Sequence, residues 1–332
     1  MIRKNTPVAF GLCFGISLIS SALHAQVLYS DNFDSGAGDS GNWNVNLGAG
    51  NNAATFGFDY STLGIPSAPH STGGSTIGVK LEANYATGAA AATGVSISPT
   101  GQSFSGDYSL SFDFWSNYVG APAGTGSGTT QLTGAGIGAT GTTVQHASAA
   151  TTSLWFGQTG DGGNSAAAKD YRIYSSVASA SAGTGYAVGS SVYAAPNVGG
   201  NGADSANTYY AALGANSASA SEVSTGVAGT TPAGAPGFKW HTGTIVKLGN
   251  TVTYTIDNTL IATVDASTVT LGGGNIELIQ SDINAGASTD PLVRTYEFGL
   301  FDNIVVAVPE PTTIALATLG AVGLLALKRR KA

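Results

Sequence analysis

Charge is what this chain has least of. Only 9% of its 332 residues are Asp, Glu, Lys or Arg, against about a quarter in ordinary soluble domains. Six of the 12 basic residues are gathered at the two ends, as Arg3, Lys4, Lys328, Arg329, Arg330 and Lys331. With these and Glu310 set aside, the stretch between holds 6 basic and 18 acidic residues, a net of −12. Nucleic acid is a poor partner for such a surface, because affinity for phosphates needs clustered Lys and Arg; cations and neutral sugars are compatible with it. Cysteine is nearly absent. The single Cys13 lies in an N-terminal apolar run, so removal of that run leaves no disulfide, thiolate metal site or Cys nucleophile. Phe10-Gly11-Leu12 before Cys13 and further apolar residues after it do not make a lipidation site. Amphipathic helical periodicity is missing too, and the lack of a fixed repeat argues against a propeller or β-solenoid.

Small and apolar residues take the place of charge. Gly alone numbers 48, with Ala, Ser and Thr around it, and apolar residues make up 42%. Disordered chains combine few apolar residues with high net charge, so an ordered β-rich protein with long small-residue loops is the expectation. Its length suits one large domain or two small ones.

The ends are segments of their own. Arg3 and Lys4, the apolar stretch from Val8 to Ile19 and the small residues from Ser20 to Ala25 compose a secretory signal peptide over residues 1–25. Signal peptidase is expected to cut after Ala25, with Ala22 as the alternative. About a dozen apolar residues do not span a bilayer that needs about 20. At the other end, Val308-Pro309-Glu310-Pro311 is followed by Thr312-Thr313, an apolar run of 14 residues from Ile314 to Leu327, and the basic cluster Lys328 to Lys331. A turn, a greasy helix and a basic stop predict a short transmembrane helix, with Pro311 at its opening and Lys and Arg snorkelling at its end. Both basic clusters would then face the cytoplasm and everything between them would lie outside.

These C-terminal residues resemble the PEP-CTERM sorting signal of Gram-negative bacteria. The resemblance covers Val308 to Ala332. It implies recognition by a membrane-embedded exosortase, cleavage near Pro309, Glu310 and Pro311, transient residence in the inner membrane, and delivery to the cell surface or matrix of species that make exopolysaccharide and biofilm.

Between the ends, residues 26–307 read as one all-β ectodomain, an antiparallel sandwich. Val27 to Asp34 opens it as a strand. Tyr108, Leu110, Phe112 and Phe114 alternate with Ser109, Ser111 and Asp113, the period of a half-buried strand. Thr251 to Ile256, the turn Asp257-Asn258 and Leu260 to Val264 form a hairpin, and Glu297 to Val306 forms a nearly continuous buried strand. The Gly, Ala, Ser and Thr tracts at 121–150 and 175–236 read as loops and short, weak strands. The Asp-Asn-Phe-Asp opening, the hairpin and the closing Phe301 to Val306 together resemble concanavalin A-like, laminin G-like jelly rolls, which implies a fold more than a function.

Several residue sets invite a chemical reading. Glycanases of this fold carry two glutamates flanking an aspartate on one strand, since retaining hydrolysis needs two carboxyl groups about 5–5.5 Å apart. Here Glu82, Glu222, Glu277 and Glu297 are each isolated in sequence. Asp31, Asp34, Asp302 and Asn303 fall at the first and last strands and are the candidate ligands of a Ca²⁺ ion, which takes six to eight oxygens; capping and turn formation is the alternative. Asp161-Gly162-Gly163-Asn164 is a turn. Gly136 to Gly141 has dinucleotide-fingerprint spacing without the flanking strand and helix that the chemistry needs. His70, His146 and His241 are far apart. Trp115, Tyr118, Trp155 and Trp240 are candidate platforms for sugar rings, Trp240 the one expected to stand exposed after its Pro/Gly loop. These features predict a non-enzymatic structural or adhesive surface protein associated with exopolysaccharide, with a lectin-like module as the alternative and a secreted glycan hydrolase as the third reading.

Overall fold

Tyr108, Leu110, Phe112 and Phe114 do what their alternation predicts: all four are at most 2% exposed and join the main core, while Ser109, Ser111 and Asp113 take the other face of the same strand. The computed structural model describes residues 25–85, 92–119, 131–147, 152–162, 170–176, 192–195, 207–225, 229–283 and 292–309. The signal segment up to residue 24, Glu310, Pro311 and the apolar run from Ile314 lie outside the described residues. Among the described residues no helix is long and apolar enough to cross a membrane.

The strands are β1 (Val27–Asp31), β2 (Trp43–Leu47), β3 (Asn52–Asp59), β4 (Ile77–Ala83), β5 (Thr93–Pro99), β6 (Tyr108–Asn117) and β7 (Gln131–Ala139). They continue with β8 (Leu154–Gln158), β9 (Tyr171–Tyr174), β10 (Trp240–Leu248), β11 (Thr251–Ile256), β12 (Thr259–Asp265), β13 (Asn275–Asp282) and β14 (Phe298–Ala307). An eight-stranded sheet runs β12-β11-β10-β6-β14-β4-β3, with β1 pairing on β14 beyond β4. A six-stranded sheet runs β2-β5-β13-β7-β8-β9. All pairings between strands are antiparallel. The inner faces meet in one core, where Leu110, Phe112, Phe114 and Ile245 of the first sheet pack with Val95, Ile97, Ile276 and Leu278 of the second. Each such side chain contributes about 1.5–3 kcal/mol by leaving water. The fold is therefore the expected all-β antiparallel sandwich.

One strand is far stronger than the sequence suggests. Residues 131–139, within a tract read as loop and weak strand, form β7, nine buried residues at the centre of the six-stranded sheet between β13 and β8. Its alternation is hidden because Gly134 and Gly136 stand where outward side chains would be, while Ala135 and Ile137 reach the core. Gly136 and Gly138 of the fingerprint-like spacing thus belong to a sheet strand, with Gly141 just past its end, and not to a phosphate loop.

Gly243 on β10 illustrates the same economy of side chains. It is paired with Phe112, whose ring lies over it, and a Cβ there would come within 2.6 Å of Phe112 Cε2. Gly243→Ala should overpack this site and destabilise the domain by about 1–3 kcal/mol, seen as a lower midpoint in thermal or urea unfolding; an unchanged midpoint would show that the ring moves freely.

Candidate functional site

The register of β6 on β14 sets Asp113 opposite Asp302, so two carboxyl groups lie side by side on the outer face of the eight-stranded sheet. They are 0% and 1% exposed. Buried carboxyl groups persist only when hydrogen-bonded, and the segment that follows β3 supplies most of the partners. Tyr60 Oη and Ser71 Oγ each donate to Asp302 Oδ2 at 3.0 Å, and the Asn303 N–H donates to Asp302 Oδ1 at 2.7 Å. Asp113 accepts from the His70 N–H at 3.0 Å, from Thr242 Oγ1 at 2.9 Å and from Asn303 Nδ2 at 3.0 Å, while His70 Nδ1 lies 2.9 Å from its Oδ1. A bulge in β14 makes this possible: Asn303 takes the left-handed conformation, φ 53°, which Asn tolerates better than most residues. Burial pushes the Asp302 carboxyl up to about 7, reinforced by the neighbouring Asp113 and opposed by the Ser71 and Tyr60 hydrogen bonds.

The His70 side chain is 61% exposed and lines a cavity of about 980 Å³. With Nδ1 committed to Asp113, Nε2 is the ring atom left for a ligand. Tyr29, Asp31, Asp39, Gln102 and Asn303 share the lining. Asp31 is saturated: Oδ1 accepts the Phe33 N–H at 2.8 Å, and Oδ2 accepts Trp43 Nε1 at 2.8 Å and Tyr29 Oη at 3.4 Å. Asp39 differs. It is 4% exposed, and its Oδ2 has no hydrogen-bond partner in the protein. Burial, and then the charge of Asp31, raise its proton affinity. The cavity wall therefore combines carboxyl, amide and imidazole groups, with one acceptor, Asp39 Oδ2, unused but covered.

A smaller hollow of about 380 Å³ lies over Trp115, Trp240 and Phe238, with Pro66, Ser67 and Lys239 on its walls. The chain from Gly64 to His70 contributes to both hollows.

Of the Ca²⁺ candidates, the structure brings Asp31 and Asn303 to one cavity, with Asp302 buried beneath. Asp34 is occupied elsewhere, by Asn32 Nδ2 at 2.6 Å and by the Ser75 hydroxyl. Asp31 and Asp34 close a tight turn, and among the described residues no group of three or more His, Cys, Asp or Glu is placed to hold a metal. The sugar-platform candidates are covered. Trp155, fully buried in the six-stranded sheet, stacks on Tyr174 at 4.2 Å, and Tyr118, 5% exposed, stacks on Phe238 at 4.3 Å. Trp115 and Trp240 meet edge to face at 5.9 Å and are 4% and 6% exposed. The expectation that Trp240 stands exposed fails because Tyr60 packs on it at 5.0 Å and Pro66 O accepts its Nε1–H at 2.7 Å. Glu82 pairs with Lys80 at 3.0 Å, Glu297 accepts the Val119 N–H at 2.8 Å, and Glu277 belongs to the other sheet; none lines either hollow. His241 is buried against Asp257 at 2.7 Å and burial lowers the proton affinity of His146. The site that sequence reading missed is the Asp113, Asp302 and His70 group, whose members are distant in sequence; the one signal was an acidic residue, Asp113, within an otherwise apolar and Ser-containing strand.

Residues 307–331 match the family described as the PEP-CTERM protein-sorting motif, so the chain carries that motif at its C-terminus. No curated protein matches the chain. Similar solved structures include a protein of unknown function with galectin-like fold from Bacillus subtilis, at 11% identity over 85% of this chain and 96% of that one, TM-score 0.44. The exoplasmic/lumenal domain of VIP36 in its Ca²⁺/Man3GlcNAc-bound form is 9% identical over 86% and 91%, TM-score 0.40. The catalytic domain of an endo-1,3-β-glucanase from Thermotoga petrophila is 12% identical over 86% and 99%, TM-score 0.37.

A carboxyl group that holds its proton more tightly in the folded chain contributes stability that is complete below its unfolded pKa and is lost as pH rises through the folded one. For Asp302 this window runs from 3.8 to about 7. Asp302→Asn should therefore remove part of the decline in unfolding free energy between about pH 4 and about pH 7.5. Urea titrations of both proteins across that range test it, and parallel pH profiles would show that Asp302 ionises freely.

Proposed function

We propose that this chain, with its sorting motif at residues 307–331, is an exported, exosortase-handled surface protein whose sandwich adheres to neutral polysaccharide without cleaving it. On this reading residues 1–25 are removed on export, residues 26–307 form the outer domain, and the apolar helix from Ile314 holds the chain in the inner membrane until processing near Pro309. Exopolysaccharide of the producing cell is the proposed partner.

The observation that carries the adhesive reading is a polar cavity of about 980 Å³ with an acceptor without a partner, Asp39 Oδ2, covered in its wall, which a ligand reaches when the Asp39 side chain turns outward. Sugar hydroxyls are donors that such an oxygen accepts, and a binding site for a neutral polymer needs few fixed charges. The paired aspartates are occupied by internal hydrogen bonds, which supports binding over hydrolysis. A purely structural matrix role is the second reading, favoured by the burial of every proposed aromatic platform.

Binding of residues 26–307 to a panel of polysaccharides, including the host's own, tests the proposal. Saturable binding is expected, weakened roughly 10–100-fold by Asp39→Ala through loss of a charge-assisted hydrogen bond; absence of binding to every member would leave the structural reading. For sorting, replacing Pro309, Glu310 and Pro311 with alanine should give an uncleaved product retained in the inner membrane, and normal release of that variant would rule out exosortase handling.

A further inference from the structure

Across the outer face of the six-stranded sheet, buried polar groups without partners fall into one row. Glu277 on β13 is opposite Gly136 on β7, Gly136 is opposite Trp155 on β8, and Trp155 is opposite Tyr174 on β9. On the other side of Glu277, one residue beyond the Leu278–Ile97 pair, comes Ser98 of β5. Leu278 and Ile97 point into the core, so alternation turns Glu277 and Ser98 outward together. Ser98 Oγ and Trp155 Nε1 lack a hydrogen-bond partner, and neither carboxyl oxygen of Glu277 makes a well-formed hydrogen bond, its one neighbouring donor being Ser153; these three residues are at most 1% exposed, while Tyr174 at the end of the row is served by Arg172.

Four under-satisfied polar atoms in one buried row are more than chance omissions, since nearly all buried polar groups in folded proteins are paired. The carboxyl group is the most demanding of them, because an isolated carboxylate in an apolar setting is strongly disfavoured. Burial accordingly pushes Glu277 up to about 8. The backbone has nevertheless made room for it. A Cβ at Gly136 would lie 2.8 Å from Glu277 Oε1 and 2.6 Å from Trp155 Cβ, so only glycine there admits the carboxyl group beside the indole.

Other oxygens surround it. The Ser153 hydroxyl is close enough to favour the charged form of Glu277, and it lies 3.4 Å from Gln145 Oε1, which also accepts the Thr152 N–H at 3.0 Å. The backbone N–H of Gln145 donates to Ser96 Oγ at 3.0 Å, which fixes this stretch over β5. Hydroxyl, amide carbonyl and carboxylate oxygens are the donor set of hard cations.

We propose that Glu277 is the carboxylate of a buried cation site of Ca²⁺ type, completed by Ser98 Oγ, Ser153 Oγ, Gln145 Oε1 and water. The site lies on the opposite sheet from the polysaccharide cavity and does not depend on it. It ties Gln145 and Ser153 to the central strand β13 and supplies the charge that Glu277 lacks. A single carboxylate gives low affinity, in the roughly 0.1–1 mM range of extracellular Ca²⁺ modules, which suits an exported protein.

The test uses the full chain in detergent, stripped of metal and then titrated with CaCl₂ to about 10 mM, with MgCl₂ as the control. A saturable rise in Tm of about 2–4 °C is expected with Ca²⁺. Tb³⁺ should bind in its place and emit on tryptophan excitation because Trp155 is adjacent. Glu277→Gln should remain folded by circular dichroism and lose both responses. Trp155→Phe should keep the Ca²⁺-dependent rise and lose the sensitised emission. A wild-type Tm indifferent to Ca²⁺, or a Glu277→Gln chain that keeps either response, would overturn the proposal, and polysaccharide binding would be untouched by either result.

Discussion

Asp113 and Asp302 face each other across the central strand pair of the larger sheet with almost no exposed surface, and the fold can keep them there only if every oxygen is engaged. That requirement organises the outer face. Tyr60 answers it with its hydroxyl and, with the same ring, covers Trp240 at 5.0 Å. Ser71 and His70 answer it from the next turn of the same segment. The carboxyl pair thus anchors the segment over the sheet, closes the aromatic cluster of Trp115, Trp240, Phe298 and Leu300 on one side, and sets His70 at the cavity on the other. Low-dielectric surroundings make these bonds strong when complete and expensive when one is lost.

Legibility followed the side chains. The strand from Tyr108 and the hairpin around Asp257-Asn258 could be read because each repeats with period two, and the final strand because its apolar run is nearly continuous; the structure has them as β6, β11 with β12, and β14. The strand β7 was not legible, since outward positions held by Gly134 and Gly136 erase the period, and its place in the sheet is decided by neighbours that have the bulk: Trp155 lies over Gly157, where a Cβ would meet Cζ3 at 2.7 Å. The polar group was hidden for another reason. His70 and Asp113 are 43 residues apart and Ser71 and Asp302 are 231 apart, so only the sheet register brings them together. Asp31 lies beside the last strand, opposite Ile304, yet its oxygens hold the turn that lets Phe33, at φ 55°, reach the core against Trp43, and Asp34 bonds to Asn32 and Ser75 instead.

The two sheets solve the problem of an outer face differently. The larger one covers its centre with a polar, fully bonded layer, and its pairing strength comes from specificity of contact as much as from burial. The smaller one covers its centre with Leu132, Trp155, Tyr174 and Ile279, an apolar layer in which the Glu277 carboxyl makes no well-formed hydrogen bond.

Register also joins the first and last residues of the sandwich. β1 runs along the end of β14 from Val27 opposite Ala307 to Asp31 opposite Ile304, and the Val308 N–H donates to Gln26 O at 2.9 Å. The residues next to both proposed processing points, Gln26 and Val308, are thus bonded to each other. β14 is also flanked on both sides, by β6 along its length and by β4 and then β1 opposite. A force applied through the sorting tail acts along this strand, and because its bonds run across the pull on both flanks, they must shear together and not open one at a time. Resistance to such a load is set by the unfolding barrier more than by equilibrium stability, and a last strand paired along both edges raises that barrier where a strand at the edge of the sheet would peel away.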